Sequence, residues 1–97
     1  MATAKVKKIS EAKIIKLMQS ENYKDRFKAE YYQLKNRWEK LSEILEYYKT
    51  TGKFFDSHGV EIKNDKIDIP LLTRQKRCMT EYMHILEKRA EIEKIKL

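Results

Sequence analysis

The sequence predicts an all-α protein: an antiparallel, coiled-coil-like helical hairpin with a short N-terminal helix, a long inter-helix loop and a tendency to form oligomers. Three observations carry this reading. Between Tyr23 and Lys49 apolar side chains recur at Phe27, Tyr31, Leu34, Trp38, Leu41, Leu45 and Tyr48, a four-three spacing that keeps one seam on a single helix face. The same stretch holds neither Gly nor Pro, and good helix formers fill most of its other positions. Finally, the 97 residues include 2 Gly and 1 Pro against 38% charged residues, which suits helices better than a sandwich or an α/β domain.

The chain reads as a single domain, 1–97. Residues 1–20 supply a basic arm and a short helix, 21–50 the long helix, 51–69 a loop and 70–97 the second helix. A core of this size is marginal unless chains associate, so a homo-oligomer is expected. A regular seam also calls for a partner helix, because a lone amphipathic helix leaves its stripe in water.

Each element has its own local signals. After the arm Met1 to Lys8, Ser10 offers an N-cap for a helix from Glu11 to about Gln19, whose Ile14, Ile15, Leu17 and Met18 need a surface to dock on. Asn22 caps the long helix, with Asp25 placed as in a capping box, and Gly52 is its expected stop. In the loop, Phe54-Phe55 and Val60-Glu61-Ile62 flank Asp56-Ser57-His58-Gly59, a spacing compatible with a small β-hairpin; the simpler reading is an irregular loop whose two Phe rings cap the bundle. Asp68 and Pro70 open the second helix, in which Leu72, Met79, Tyr82 and Leu86 make one seam and Leu71, Cys78, Ile85 and Ile92 an adjoining one.

Folding the helices back so that Tyr48 meets Leu72 places Leu45 by Gln75, Leu41 by Met79, Trp38 by Tyr82, Leu34 by Leu86 and Tyr31 by Arg89. In that register Arg89 lands on the buried side near Glu30, and a structural Glu30–Arg89 ion pair is expected to fix it.

Chemistry of the catalytic kind finds little support. Gly-rich phosphate loops, HExxH and CxxC patterns are absent, so no catalytic residues, metal ligands or cofactors are assigned. His84 lies six residues from Cys78, well off its helix face, and Cys78 reads as a small apolar packer. The lone cysteine fits a reducing compartment, and apolar runs of two or three residues predict neither a secretory leader nor a membrane span.

Binding suits the residues better. The net charge is +7, with the excess at the two ends of the chain. Arg74, Lys76 and Arg77 crowd the start of the second helix, where they oppose its dipole and, with free backbone N–H groups, are placed to hold a phosphate or an acidic side chain. Their alternative use is to cover apolar surface with their stems. Tyr32 and Tyr47, the off-seam members of two Tyr pairs, are candidates for a subunit interface or for stacking on a ligand base.

The pattern Arg26-Phe27-x-x-Glu30-Tyr31-x-x-Leu34-x-x-Arg37-x-x-x-Leu41, followed by Gln75-x-x-x-Met79-x-x-Tyr82-x-x-x-Leu86-x-x-Arg89-Ala90, resembles small crAss-phage-related helical-hairpin accessory proteins of tailed phages and prophages. The resemblance covers about residues 23–97; the arm and short helix lie outside it, and the 51–69 loop is longer than the family's. It implies a phage accessory protein in the cytoplasm of the bacterial host and carries no common activity with it. The expected function is therefore binding that counters a host process, by sequestering a phosphate-rich nucleotide signal of antiviral defence. The alternatives are occlusion of a host protein surface and nucleic-acid binding.

Overall fold

The structure, a computed structural model, describes residues 9–56, 58–63 and 67–97. The basic arm over residues 1–8 lies outside these, as do Ser57 of the anticipated turn and residues 64–66 of the loop. Helix α1 (Glu11–Met18) starts where its cap dictates: the Ser10 hydroxyl accepts the Lys13 backbone N–H at 3.2 Å. Helix α2 (Tyr23–Thr51) is capped by Asn22, whose side-chain oxygen accepts from the Lys24 N–H at 2.8 Å. Asp25 completes the cap through Ser20, whose hydroxyl donates to Asp25 at 2.8 Å while accepting from the Asn22 N–H at 3.1 Å. Gly52 ends α2 at φ 71°, a left-handed conformation that glycine adopts without steric cost.

The two readings of the loop combine. Strands β1 (Phe54–Phe55) and β2 (Glu61–Ile62) pair antiparallel, Phe54 opposite Ile62. Asp56 builds the turn between them, its carboxylate accepting from the backbone N–H groups of His58 at 2.8 Å and Val60 at 3.0 Å. The hairpin carries Phe54 into a buried position with its ring centroid 4.9 Å from that of Tyr48, so it also caps the end of α2.

Helix α3 (Ile69–Glu93) begins under Asp68, which accepts the Leu71 N–H at 3.0 Å, with Pro70 in the first turn. It stops short of the chain end. Lys94 takes a left-handed φ of 58°, the Ile95 N–H closes on the Ala90 carbonyl at 2.8 Å, and the tail folds back so that Ile95 is buried and Leu97 packs against the core.

Helix α2 is buried on two faces, and this organises the molecule. One face meets α3, bringing Phe27 and Tyr31 together with Met83, Leu86 and Ala90, with Leu34 and Trp38 packed against them. Contacts that pair Tyr23 with Glu93, Tyr31 with Glu87 and Trp38 with Thr80 show that α2 and α3 run antiparallel. The other face, Ala29 and Tyr32, is covered by α1 through Ile14 and Leu17. Burial of Leu86 alone contributes roughly 1.5–3 kcal/mol of transfer free energy.

The register differs from the one the seams suggest. Trp38 meets Thr80 where Tyr82 was expected, its indole N–H donating to the hydroxyl at 2.8 Å, and Tyr31 meets Glu87 where Arg89 was expected. The two-residue slip leaves Leu86 fully buried but swings Tyr82 to 42% exposure and brings Met83 and Ala90 inward. Two polar anchors and the small Ala90 favour it over a match of apolar positions alone. The adjoining seam stays outside: Leu71, Cys78, Ile85 and Ile92 are all exposed, so Cys78 is not a core packer.

Candidate ligand groove

The basic start of α3 does not assemble into a phosphate cradle. Arg74 and Arg77 are exposed, whereas Lys76 turns toward α2, its ammonium 5.4 Å from the centroid of the Trp38 ring. The helix N-terminus itself is occupied, since Pro70 has no N–H and the Asp68 carboxylate already holds that of Leu71. A negative charge sits where a phosphate would dock.

The aromatic candidates also part company. Tyr32 is buried, its ring edge-on to Tyr31 at 5.2 Å, and burial pushes its hydroxyl pKa up. Tyr47 is exposed and leans on Phe55 with centroids 5.9 Å apart. The structure therefore does not bring Tyr32 and Tyr47 together with Arg74, Lys76 and Arg77.

Arg89 has a different partner from the expected Glu30. Its Nε donates to Glu93 at 3.1 Å, its guanidinium donates to the Tyr23 hydroxyl at 2.8 Å, and the group lies 5.0 Å from the centroid of the Phe27 ring. Tyr23 in turn donates to Glu93 at 2.9 Å. That hydroxyl, and then Arg89, hold the Glu93 carboxyl below its usual range. Glu30 and Arg89 are both exposed, because the two-residue slip takes Arg89 off the buried side.

A different set of polar groups converges. Between α1 and α2 lies a groove of about 360 Å³ whose apolar wall is Ile14, Ile15 and Met18. Its opposite wall is the α2 face formed by Gln33, Asn36, Arg37 and Lys40, at positions i, i+3, i+4 and i+7. The Asn36 amide donates to the Ile9 carbonyl at 3.1 Å, pinning the entry to α1, while its buried side-chain oxygen has no partner among the described residues. Lys40 reaches Glu11 at 3.6 Å, but both side chains are largely exposed, and such a pair is worth at most about 1 kcal/mol. An apolar wall facing amides and two cations, with Glu11 beside Lys40, is the composition of a small-ligand site, and the volume falls within the roughly 300–1,000 Å³ usual for one.

A larger groove of about 790 Å³ opens at the hairpin end, against Leu41, Ile44, Phe54 and Leu72. Among the described residues Glu43, Asp56 and Asp68 line it against Lys40 alone, which disfavours an anionic occupant. Among the described residues no helix is long and apolar enough to cross a membrane.

Gln33, Asn36, Arg37 and Lys40 lie off the apolar seam that marks α2 in the sequence. Their signal was a second helical face with two amides followed by two cations, next to Ala29 and Tyr32.

A family model described as Sequestin matches residues 21–92. This stretch holds α2, the hairpin and most of α3, with Gln33, Asn36, Arg37 and Lys40 of the α1–α2 groove; α1, which contributes Glu11 to that groove, precedes it. Among curated proteins and solved structures, nothing matches.

Proposed function

This chain belongs to the Sequestin family, and from that premise we propose that it is a phage accessory protein that sequesters a nucleotide-type signal of antiviral defence in the cytoplasm of the bacterial host. The observation that carries the choice of ligand is the groove between α1 and α2, where Arg37 and Lys40 stand beside amides and an apolar wall. In this reading a base lies against Ile15 and Met18, both about half exposed without it, and Gln33 reads its edge. The phosphates meet Arg37 and Lys40, with Lys40 released from Glu11. Sequestration needs no bond to be made or broken. It needs a Kd below the signal's concentration and as many protein copies as ligand molecules.

The test is calorimetric titration of the full chain with a panel of mononucleotides, linear dinucleotides and cyclic dinucleotides. At least one member binds with a micromolar or lower Kd, and Arg37→Glu combined with Lys40→Glu removes that binding while helicity is retained. Binding by no member of the panel, or equal binding by the double variant, overturns the assignment.

A further inference from the structure

Beside the face of α3 that meets α2, Leu71, Gln75, Cys78, Tyr82, Ile85, Arg89 and Ile92 follow the same four-three spacing as the seam of α2, with Arg89 reaching back to Tyr23 of α2. Leu71 is 56% exposed, Ile85 49% and Ile92 69%, so the apolar members of this line lack a cover among the described residues. The spacing is fitted to another helix, because a strict heptad line keeps facing one straight neighbour over several turns. From Leu71 to Ile92 it extends for about 32 Å.

We infer that this line pairs with the same line of a second copy of the chain, antiparallel and about a two-fold axis. Charge selects both the partner and the direction. A parallel pair would set Arg89 beside Arg89 in the seam, which like-charge repulsion disfavours, and would carry Glu81 and Lys88 to opposite flanks. Antiparallel, with Tyr82 packed beside Ile85 of the second copy, the flanking Glu81 faces Lys88 of that copy. The two-fold axis repeats both contacts, as a closed interface of identical patches requires. Among the described residues Lys88 has only Glu91 of its own helix at 3.6 Å, with both side chains more than 70% exposed, so it is available to a stronger partner. Gln75 then lies beside Ile92 of the second copy, and two central layers of Tyr82 and Ile85 form the dry middle of the seam. The pairing is independent of the α1–α2 groove, which lies on the opposite side of α2 from α3.

Light scattering and sedimentation of the full chain at micromolar concentration test it. The parent chain should have the mass of a dimer, and Ile85→Lys that of a monomer with unchanged helicity, since position 85 lies outside the core. Glu81→Lys and Lys88→Glu should each weaken the dimer roughly tenfold by creating two like-charge contacts, and the double reversal should restore it to within about twofold. In a Cys78→Ser background, Tyr82→Cys chains mixed with Ile85→Cys chains should form a disulfide-linked heterodimer on mild oxidation. A monomeric parent, a dimeric Ile85→Lys variant, or a double reversal no better than its two single changes overturns the pairing.

Discussion

The Tyr31 hydroxyl donates to the Glu87 carboxylate at 2.5 Å from a fully buried position, tying the middle of α2 to α3. Burial first, and the carboxylate second, push the Tyr31 pKa far above the ordinary tyrosine value. The contact favours this register as well as adding stability, because a two-residue shift would set Ile85 or Arg89 beside this hydroxyl in place of a carboxylate.

The raised pKa makes stability fall in alkali. The folded chain holds the Tyr31 proton more tightly than the unfolded chain, so its contribution is complete below the unfolded value of about 10 and is lost as pH rises through the higher folded value. Tyr32 is shifted in the same direction by burial. Urea unfolding at a series of pH values should therefore show falling stability above about pH 10, with a shallower fall in Tyr31→Phe. At pH 7 that variant should lose about 1.5–3 kcal/mol, the usual contribution of a hydrogen bond to a charged group.

The observed register separates residues that the apolar pattern treated alike. Leu86→Ala should cost about 2–5 kcal/mol, and Thr80→Val, which removes the acceptor of the Trp38 indole, about 1 kcal/mol. The single Trp makes its own fluorescence the readout of both unfolding curves. Equal stability of Leu86→Ala and the parent would refute the packing of α3 on α2.

Gly52 isolates the backbone term at the end of α2. A Cβ added there meets nothing within 4 Å, so Gly52→Ala has only the left-handed conformation to pay for. The cost should be about 1–2 kcal/mol, and smaller for Gly52→Asn. Thermal unfolding followed by circular dichroism measures it.

Asp68→Ala distinguishes the start of α3 from the α1–α2 groove as the nucleotide site. Loss of the cap should destabilise the chain by about 1 kcal/mol. Nucleotide affinity should stay the same if the ligand lies against Arg37 and Lys40, and should rise if it docks beside Arg74 and Arg77, where Asp68 now competes with it. Titration of this variant with the best ligand of the panel decides between them.

Local physics was enough to place most of the secondary structure from sequence. Ser10, Asn22, Gly52 and Asp68 each act within four residues of their own position, and each acts in the structure as its side chain or backbone freedom dictates. The seam of α2 likewise needs only helical periodicity to be seen. What the tertiary structure decided is which faces meet and at what offset. Apolar positions recur every three or four residues, so several registers satisfy hydrophobic burial almost equally. The choice fell to polar partners distant in sequence, Trp38 with Thr80 and Tyr31 with Glu87. The docking of α1 then decided the fate of the second face of α2, burying Tyr32 and gathering Gln33, Asn36, Arg37 and Lys40 into one wall. Periodicity marks a face as able to pack; the volume and hydrogen-bonding groups of whatever arrives there determine whether it becomes core, groove or interface.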